Sequence, residues 1–417
     1  MSHKCGSVAV LLGLIITAPL YGQKKADFSK FVVAGDSLSA GYQNSQLIES
    51  GQVHGYANVI ATQAGVSLKL PLLPPPGYPQ ITIEQNHAVV TGTERTPFGA
   101  LPINRPQTLD VAVPGFTVGA LVGLQPFCNP APGDPLEVIE VMAAEILNAR
   151  CSGNPPTGLG VAAALKPTTA ILWIGSNDAL FSLLFGGPPT DATAFRLQHG
   201  FATATMAHAS EHLVIANIPD VTLTPYLTSV PKLAAMLGQS VPTVEYVFGL
   251  GPDDMVTPYA FPFILAGLMP PDSDSVSHVP IVIRKGTLSQ IRAAVLAYNA
   301  LIANEAAASG ATLVDIYSLI KDLAANGAVV GGQKLTTDFM GGLFSLDGVH
   351  PTNTGYAIIA NEFIKTMNRS LRAGIPPVSV EQVSKTDPLI FPANDHGKHT
   401  GHVDVGMADC LRRLGRR

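Results

Sequence analysis

Hydrolysing an ester near neutral pH takes a nucleophile, a base that accepts its proton, and donors aimed at the oxygen that becomes negative. Residues of these types occur in four short blocks of this chain. In Gly35-Asp36-Ser37-Leu38, Ser37 stands directly after an apolar run, where a tight turn would expose its hydroxyl and leave its N–H near a helix start. In Pro114-Gly115 the glycine lets the backbone approach closely and aim an N–H at an oxyanion. In Gly175-Ser176-Asn177-Asp178 the Asn177 amide can donate to the same oxygen. In Asp347-Gly348-Val349-His350-Pro351 a carboxylate stands three residues before an imidazole and can hold it in one tautomer and orientation. Singly, the first three blocks also have ordinary explanations: a turn-capping serine, a plain turn, an Asn-Asp helix cap.

Segments this far apart need a scaffold that delivers them to one place. Phe31 to Ala34 reads as a strand ending at Gly35, and Tyr56 to Ala64 as a helix before Gly65. Leu109 to Val113 is a second predicted strand, Leu136 to Leu147 a helix, and Ala170 to Ile174 a third strand ending at Gly175. A helix over Ala192 to His212, a strand over His212 to Ile218, a helix over Leu288 to Ala308 and a fifth strand over Thr312 to Ile316 follow, with a last helix from Thr354 to Asn368. Alternation of this kind predicts an α/β fold: a three-layer α/β/α sandwich around a central, mostly parallel five-stranded sheet. Ligands of such sheets sit beyond the carboxyl ends of the strands, which is where the first three blocks fall.

The remaining sequence divides into regions of different character. Residues 28–374 are expected to form the main domain, with 221–286 an inserted cap or subdomain, too long and apolar for an ordinary connection. Residues 375–417 are expected to be an extended or disordered tail. Residues 1–22, with Lys4, the apolar Val8 to Leu20 and a small residue before Gln23, read as a secretory signal, implying a secreted or periplasmic protein. Cys128, Cys151 and Cys410 would then be left in the mature chain, an odd number, with a Cys128–Cys151 bridge one natural pairing. Only 13% of residues are charged against a usual share of roughly 25%. At a formal net charge of −5 and without a basic track, nucleic acid is excluded as a partner. No C-x-x-C or H-E-x-x-H occurs, and His396, His399 and His402 beside Asp395 sit in the tail, so neither a metal nor another cofactor is expected. His54, His87, His199, His208, His212 and His278 have no partner recognisable in the sequence and read as surface or core residues.

Taken together and in this order, the four blocks resemble the signature of the GDSL, or SGNH, hydrolases, whose lettered positions are matched by Ser37, Gly115, Asn177 and His350. The G-x-S-x-G elbow of the α/β-hydrolases is absent. The resemblance implies a flavodoxin-like SGNH fold, Ser37 as nucleophile, His350 as general base and Asp347 as its orienter. It also implies the Ser37 and Gly115 N–H groups and the Asn177 amide as oxyanion donors. The expected activity is that of an exported carboxylic ester hydrolase, an esterase or lipase acting on a small-molecule or lipid acyl ester, with peripheral lipid contact open to it. An acyltransferase on the same scaffold and a non-catalytic carbohydrate- or lipid-binding module are the alternatives. Acyl length, the alcohol and the oligomeric state are not written in the sequence.

Overall fold

The computed structural model describes residues 25–74, 81–84, 87–90, 106–125, 137–148, 155–275 and 278–390. The expected signal segment, Cys128, Cys151, Cys410 and the His396, His399 and His402 group lie outside them.

Strand β1 (Phe31–Gly35) leads through Asp36 into the one-turn helix α1 (Ser37–Ala40), and helix α2 (Tyr56–Gln63) follows. Strand β2 (Thr169–Trp173) is followed by α3 (Asn177–Leu184) and the long α4 (Ala192–Ala209). Strand β3 (His212–Ala216) precedes residues 221–286, after which come α5 (Lys285–Ser309), β4 (Thr312–Val314), α6 (Ile316–Asn326) and α7 (Asn353–Leu371). The four strands form one sheet in the order β1-β2-β3-β4, every pair parallel.

Of the five strands expected, the second is only partly realised. Leu109 to Val113 runs beside β1, exchanging Val33 N–H to Leu109 O, Val111 N–H to Val33 O and Val113 N–H to Gly35 O, yet it makes a single bridge rather than a ladder. Its outer side is turned to other uses: the Leu109 N–H goes to Lys69 O and the Ala112 N–H to Asp110 Oδ1. Helix boundaries also shift at their ends, α5 beginning at Lys285 and α7 running on to Leu371.

Period-two alternation along the strands makes the layers, since successive side chains point to opposite faces. Val32, Ala34, Ala170, Leu172, Leu213 and Ile215 face a core completed by α4 and α5, through residues such as Phe195, Met206, Ile291 and Tyr298. Phe31, Val33, Ile171, Trp173, Val214 and Val314 face the other, completed by α2, α6 and α7. There Tyr56 stacks on Phe363 at 4.7 Å and meets the edge of Trp173 at 5.2 Å, clamping α2 and α7 onto the sheet.

Within 221–286 a separate small core forms. Strands Thr228–Ser229, Met255–Val256 and Val282–Ile283 pair antiparallel, and helices Val230–Leu237, Val241–Phe248 and Phe261–Leu265 bury Leu233, Phe248, Phe261 and Ile264 together. Arg284 ties its end, donating to Asp254, Asp272 and the Gly249 carbonyl.

Residues from Ile375 to Ile390 are corrected from the extended or disordered tail expected. They pack back on the domain, with a short helix Val380–Ser384 and reciprocal bonds between Asn361 and Val378. The reason lies at the start of α7, whose first N–H groups need acceptors. Thr352 caps Gly355 N–H, and buried Asp387 takes both the N–H and the hydroxyl of Thr354 at 2.7 Å. Replacing Asp387 by Ala is expected to lower the unfolding free energy by about 1–3 kcal/mol, measured by chemical denaturation at neutral pH. Replacing Lys385, whose ion pair with Glu381 is exposed and screened by solvent, should leave it nearly unchanged.

Candidate active site

Gly35 ends β1, and the chain turns at Asp36, whose Oδ1 accepts the Leu38 N–H at 3.0 Å as the cap of α1. Ser37 is thereby the first residue of a helix, where its own N–H has no acceptor within the helix. His350 reaches it from the far end of the chain: Nε2 lies 2.8 Å from Ser37 Oγ, and Nδ1 lies 2.9 Å from Asp347 Oδ2. An anionic Asp347 can only accept, so Nδ1 carries the proton and Nε2 keeps a lone pair toward the serine hydroxyl.

Asp347 is held from several sides. Its Oδ1 accepts the N–H groups of Val349 and His350 and the Ser345 hydroxyl, and its Oδ2 accepts the Ser45 N–H. Burial pushes this carboxyl up, but the charge and ring N–H of His350 and the surrounding backbone donors outweigh it and hold it at about 2. The turn depends on Gly348 at φ +70°, where a Cβ would come within 2.9 Å of Tyr226 N. The Tyr226 N–H itself donates to Gly348 O. Tyr42 packs its ring against the imidazole at 4.8 Å.

Asn177, at the start of α3, is buried and donates from Nδ2 to Phe116 O at 2.9 Å, leaving its second amide hydrogen uncommitted by that bond. The next residue, Asp178, accepts the Val118 N–H at 2.9 Å. Two bonds thus pin the turn that carries Gly115, which sits at φ +82° with the Ile139 side chain where a Cβ would be. Among the described residues the Gly115 N–H has no hydrogen-bond acceptor. Ser37, Asn177 and His350 line one cavity, while Gly115 and Asp347 stand outside its wall.

The structure adds residues the sequence reading did not single out. Asp36 is buried beside Ser37; burial raises its carboxyl to about 7, with Leu38 N–H and His350 pulling down and Asp178 pushing up. Its neighbour Ser37 drew attention and it did not, because nothing in a sequence reports desolvation. His199, read as partnerless, is fully buried with Nδ1 on Glu305 of α5, a partner 106 residues away.

The family model for GDSL-like lipases and acylhydrolases matches residues 31–363, so the chain belongs to that family. It is an ester-bond hydrolase. No curated protein sequence matches it. Among solved structures it is similar to LAE5, described as an alpha/beta hydrolase enzyme from the metagenome of Lake Arreo, Spain, at 15% identity and a TM-score of 0.36, covering 84% of this chain and 99% of that one. An extracellular lipase from Streptomyces rimosus aligns at 13% identity and a TM-score of 0.32, over 82% of this chain and 98% of that one.

The Asp347 carboxyl has a folded value of about 2 against an ordinary 3.8, so its contribution to stability is present above about 3.8 and lost as pH falls through about 2. Asp347→Asn should therefore destabilise the protein at pH 5, with the difference from the parent shrinking toward pH 2 in denaturation series. The same variant should lose about ten-thousandfold in kcat, since Asn no longer fixes the proton on Nδ1 of His350.

Proposed function

We propose that this protein is an exported carboxylic ester hydrolase that works through an acyl-enzyme on Ser37. The observation that carries the reading is the continuous hydrogen-bonded chain from Asp347 through both nitrogens of His350 to Ser37 Oγ. His350 Nε2 takes the proton as Ser37 Oγ attacks the ester carbonyl, and Asp347 stabilises the imidazolium that forms. The carbonyl oxygen, now negative, is met by the Ser37 N–H, the Gly115 N–H and the second Asn177 amide hydrogen. His350 then returns the proton to the departing alcohol oxygen. Water, deprotonated by the same nitrogen, attacks the acyl-enzyme and releases the acid.

Supporting this assignment of donors, the bond from Asn177 to Phe116 O and that from Val118 to Asp178 hold two of them in fixed relation before substrate arrives. A preformed hole needs no reorganisation as charge develops. The export reading rests on the N-terminal pattern of residues 1–22. The catalytic domain is assigned to residues 28–374, with 221–286 as its cap.

Hydrolysis of p-nitrophenyl butyrate by the protein and by Ser37→Ala, at matched folding, tests the mechanism. The variant should retain less than about one thousandth of the parent kcat. Parent-like turnover in Ser37→Ala would rule Ser37 out as nucleophile.

A further inference from the structure

Between α1 and α2 the chain makes a tight turn that takes no direct part in the hydrolytic chemistry. Gln43 N–H donates to Gln46 O at 3.1 Å and Gln46 N–H to Gln43 O at 2.9 Å, closing a two-residue loop. Its central residues, Asn44 and Ser45, both have positive φ, 53° and 58°. That is the pattern of a type I′ turn, in which Asn suits the first central position and Gly the second. Serine at the second holds a left-handed backbone at a cost, and such a cost persists where the surrounding contacts impose it.

The contacts at its tip run to the loop that carries the base. The Asn44 N–H donates to Ser345 Oγ at 3.1 Å and the Ser45 N–H to Asp347 Oδ2 at 2.9 Å. In return Asn44 Oδ1 accepts the Leu346 N–H at 2.9 Å. Beside them Gln43 Nε2 donates to Pro351 O at 3.2 Å and to Asn353 Oδ1 at 3.0 Å, where α7 begins. The turn therefore grips the chain on both sides of His350, and one of its N–H groups ends on the same carboxylate oxygen that holds the imidazole.

The same segment is fixed to the nucleophile. The Tyr42 N–H donates to Ser37 O at 3.1 Å, the Tyr42 ring packs on His350, and the Tyr42 carbonyl accepts the Tyr356 hydroxyl of α7 at 2.9 Å. Tyr42 on one side of the turn and Leu47 on the other are buried, so the turn is anchored at both feet, while Asn44 at its tip is exposed. Residues 37–46 are thus one short piece of chain that carries the serine, walls the imidazole and hydrogen-bonds the carboxylate. Neither Asn44 nor Ser45 lines the cavity at Ser37, so a substrate seated there does not meet them. Their influence on the reaction has to pass through the position of the base, and a displacement of about 1 Å there costs about hundredfold in rate.

We propose that the turn 43–46 is the clasp that sets the Asp347–His350 pair in register with Ser37, and that Asn44 is a positioning residue for ester hydrolysis, acting through the bond from Leu346 N–H to its Oδ1. The proposal rests on Ser37 and His350 performing the reaction as described above. Its test compares kcat and KM for p-nitrophenyl butyrate in the parent, Asn44→Gly and Asn44→Asp, with Ser37→Ala alongside and thermal denaturation of each. Glycine keeps the left-handed backbone and removes only the acceptor, whereas aspartate tolerates that backbone and still offers an oxygen. Asn44→Gly should lose about ten- to hundredfold in kcat with KM within about twofold of the parent, because only the geometry of the base has changed. Asn44→Asp should recover most of that loss. A parent-like kcat in Asn44→Gly, or a loss that Asn44→Asp does not recover and that follows lowered thermal stability instead, overturns the positioning role while leaving the nucleophile standing. Turnover that survives Ser37→Ala overturns the mechanism on which the proposal rests. Should the Asn44 variants fail to fold, amide hydrogen exchange on the unaltered protein reads the same contacts. Slow exchange at the Ser45 and Leu346 N–H groups supports the clasp, and exchange at the rate of a free loop overturns it.

Discussion

The 2.8 Å contact between His350 Nε2 and Ser37 Oγ joins residues 313 positions apart, and much of the surrounding structure serves to hold its two sides in place. On one side stands a parallel strand whose end turns at once into a helix. On the other stands a tight loop built around a buried anion. An ionised carboxylate out of water is tolerable only when its oxygens are fully bonded, and Asp347 has the N–H groups of Ser45, Val349 and His350, the Ser345 hydroxyl and the His350 ring. Those bonds fix the loop. The same anion thus orients the imidazole and shapes the backbone that presents it.

A similar device recurs at the ends of the neighbouring segments. Asp36, Asp110 and Asp178 are all buried, and each accepts a backbone N–H from the turn beside it: Leu38, Ala112 and Val118. Unlike Asp347 they have no imidazole N–H bonded to them, so burial dominates and raises all three, Asp110 to about 8 and Asp36 to about 7. The rigid turns that carry Ser37, Gly115 and Asn177 are thus braced by side chains whose ionisation folding disfavours.

Residues 221–286 touch this centre at the turn that carries His350. The Tyr226 N–H bonds Gly348 O in the loop between Asp347 and His350, and Lys232 pairs with Asp338 just ahead of that loop. The pair is exposed and weak, whereas Tyr226 packs so close that Gly348 has no room for a side chain. Residues 221–286 and the turn between Asp347 and His350 thus meet at Tyr226.

Local pattern alone determined the alternation of strands and helices, the glycine-terminated turns, and the four blocks whose residue types suit ester hydrolysis. Those are short-range properties: strand and helix periodicity and turn chemistry act over a few residues, and so Ser37, Asn177, Asp347 and His350 could be named without coordinates. Tertiary structure decided the rest. That Leu109 to Val113 makes one bridge and not a full strand depends on what lies at its outer edge. The docking of residues 375–390 depends on unpaired N–H groups at the start of α7, more than twenty positions back along the chain from Asp387. The raised carboxyl of Asp36 and the Glu305 partner of His199 both arise from segments distant in sequence. Desolvation and cavity shape are set by what packs around a residue, and no residue carries that information in its own neighbourhood of the chain.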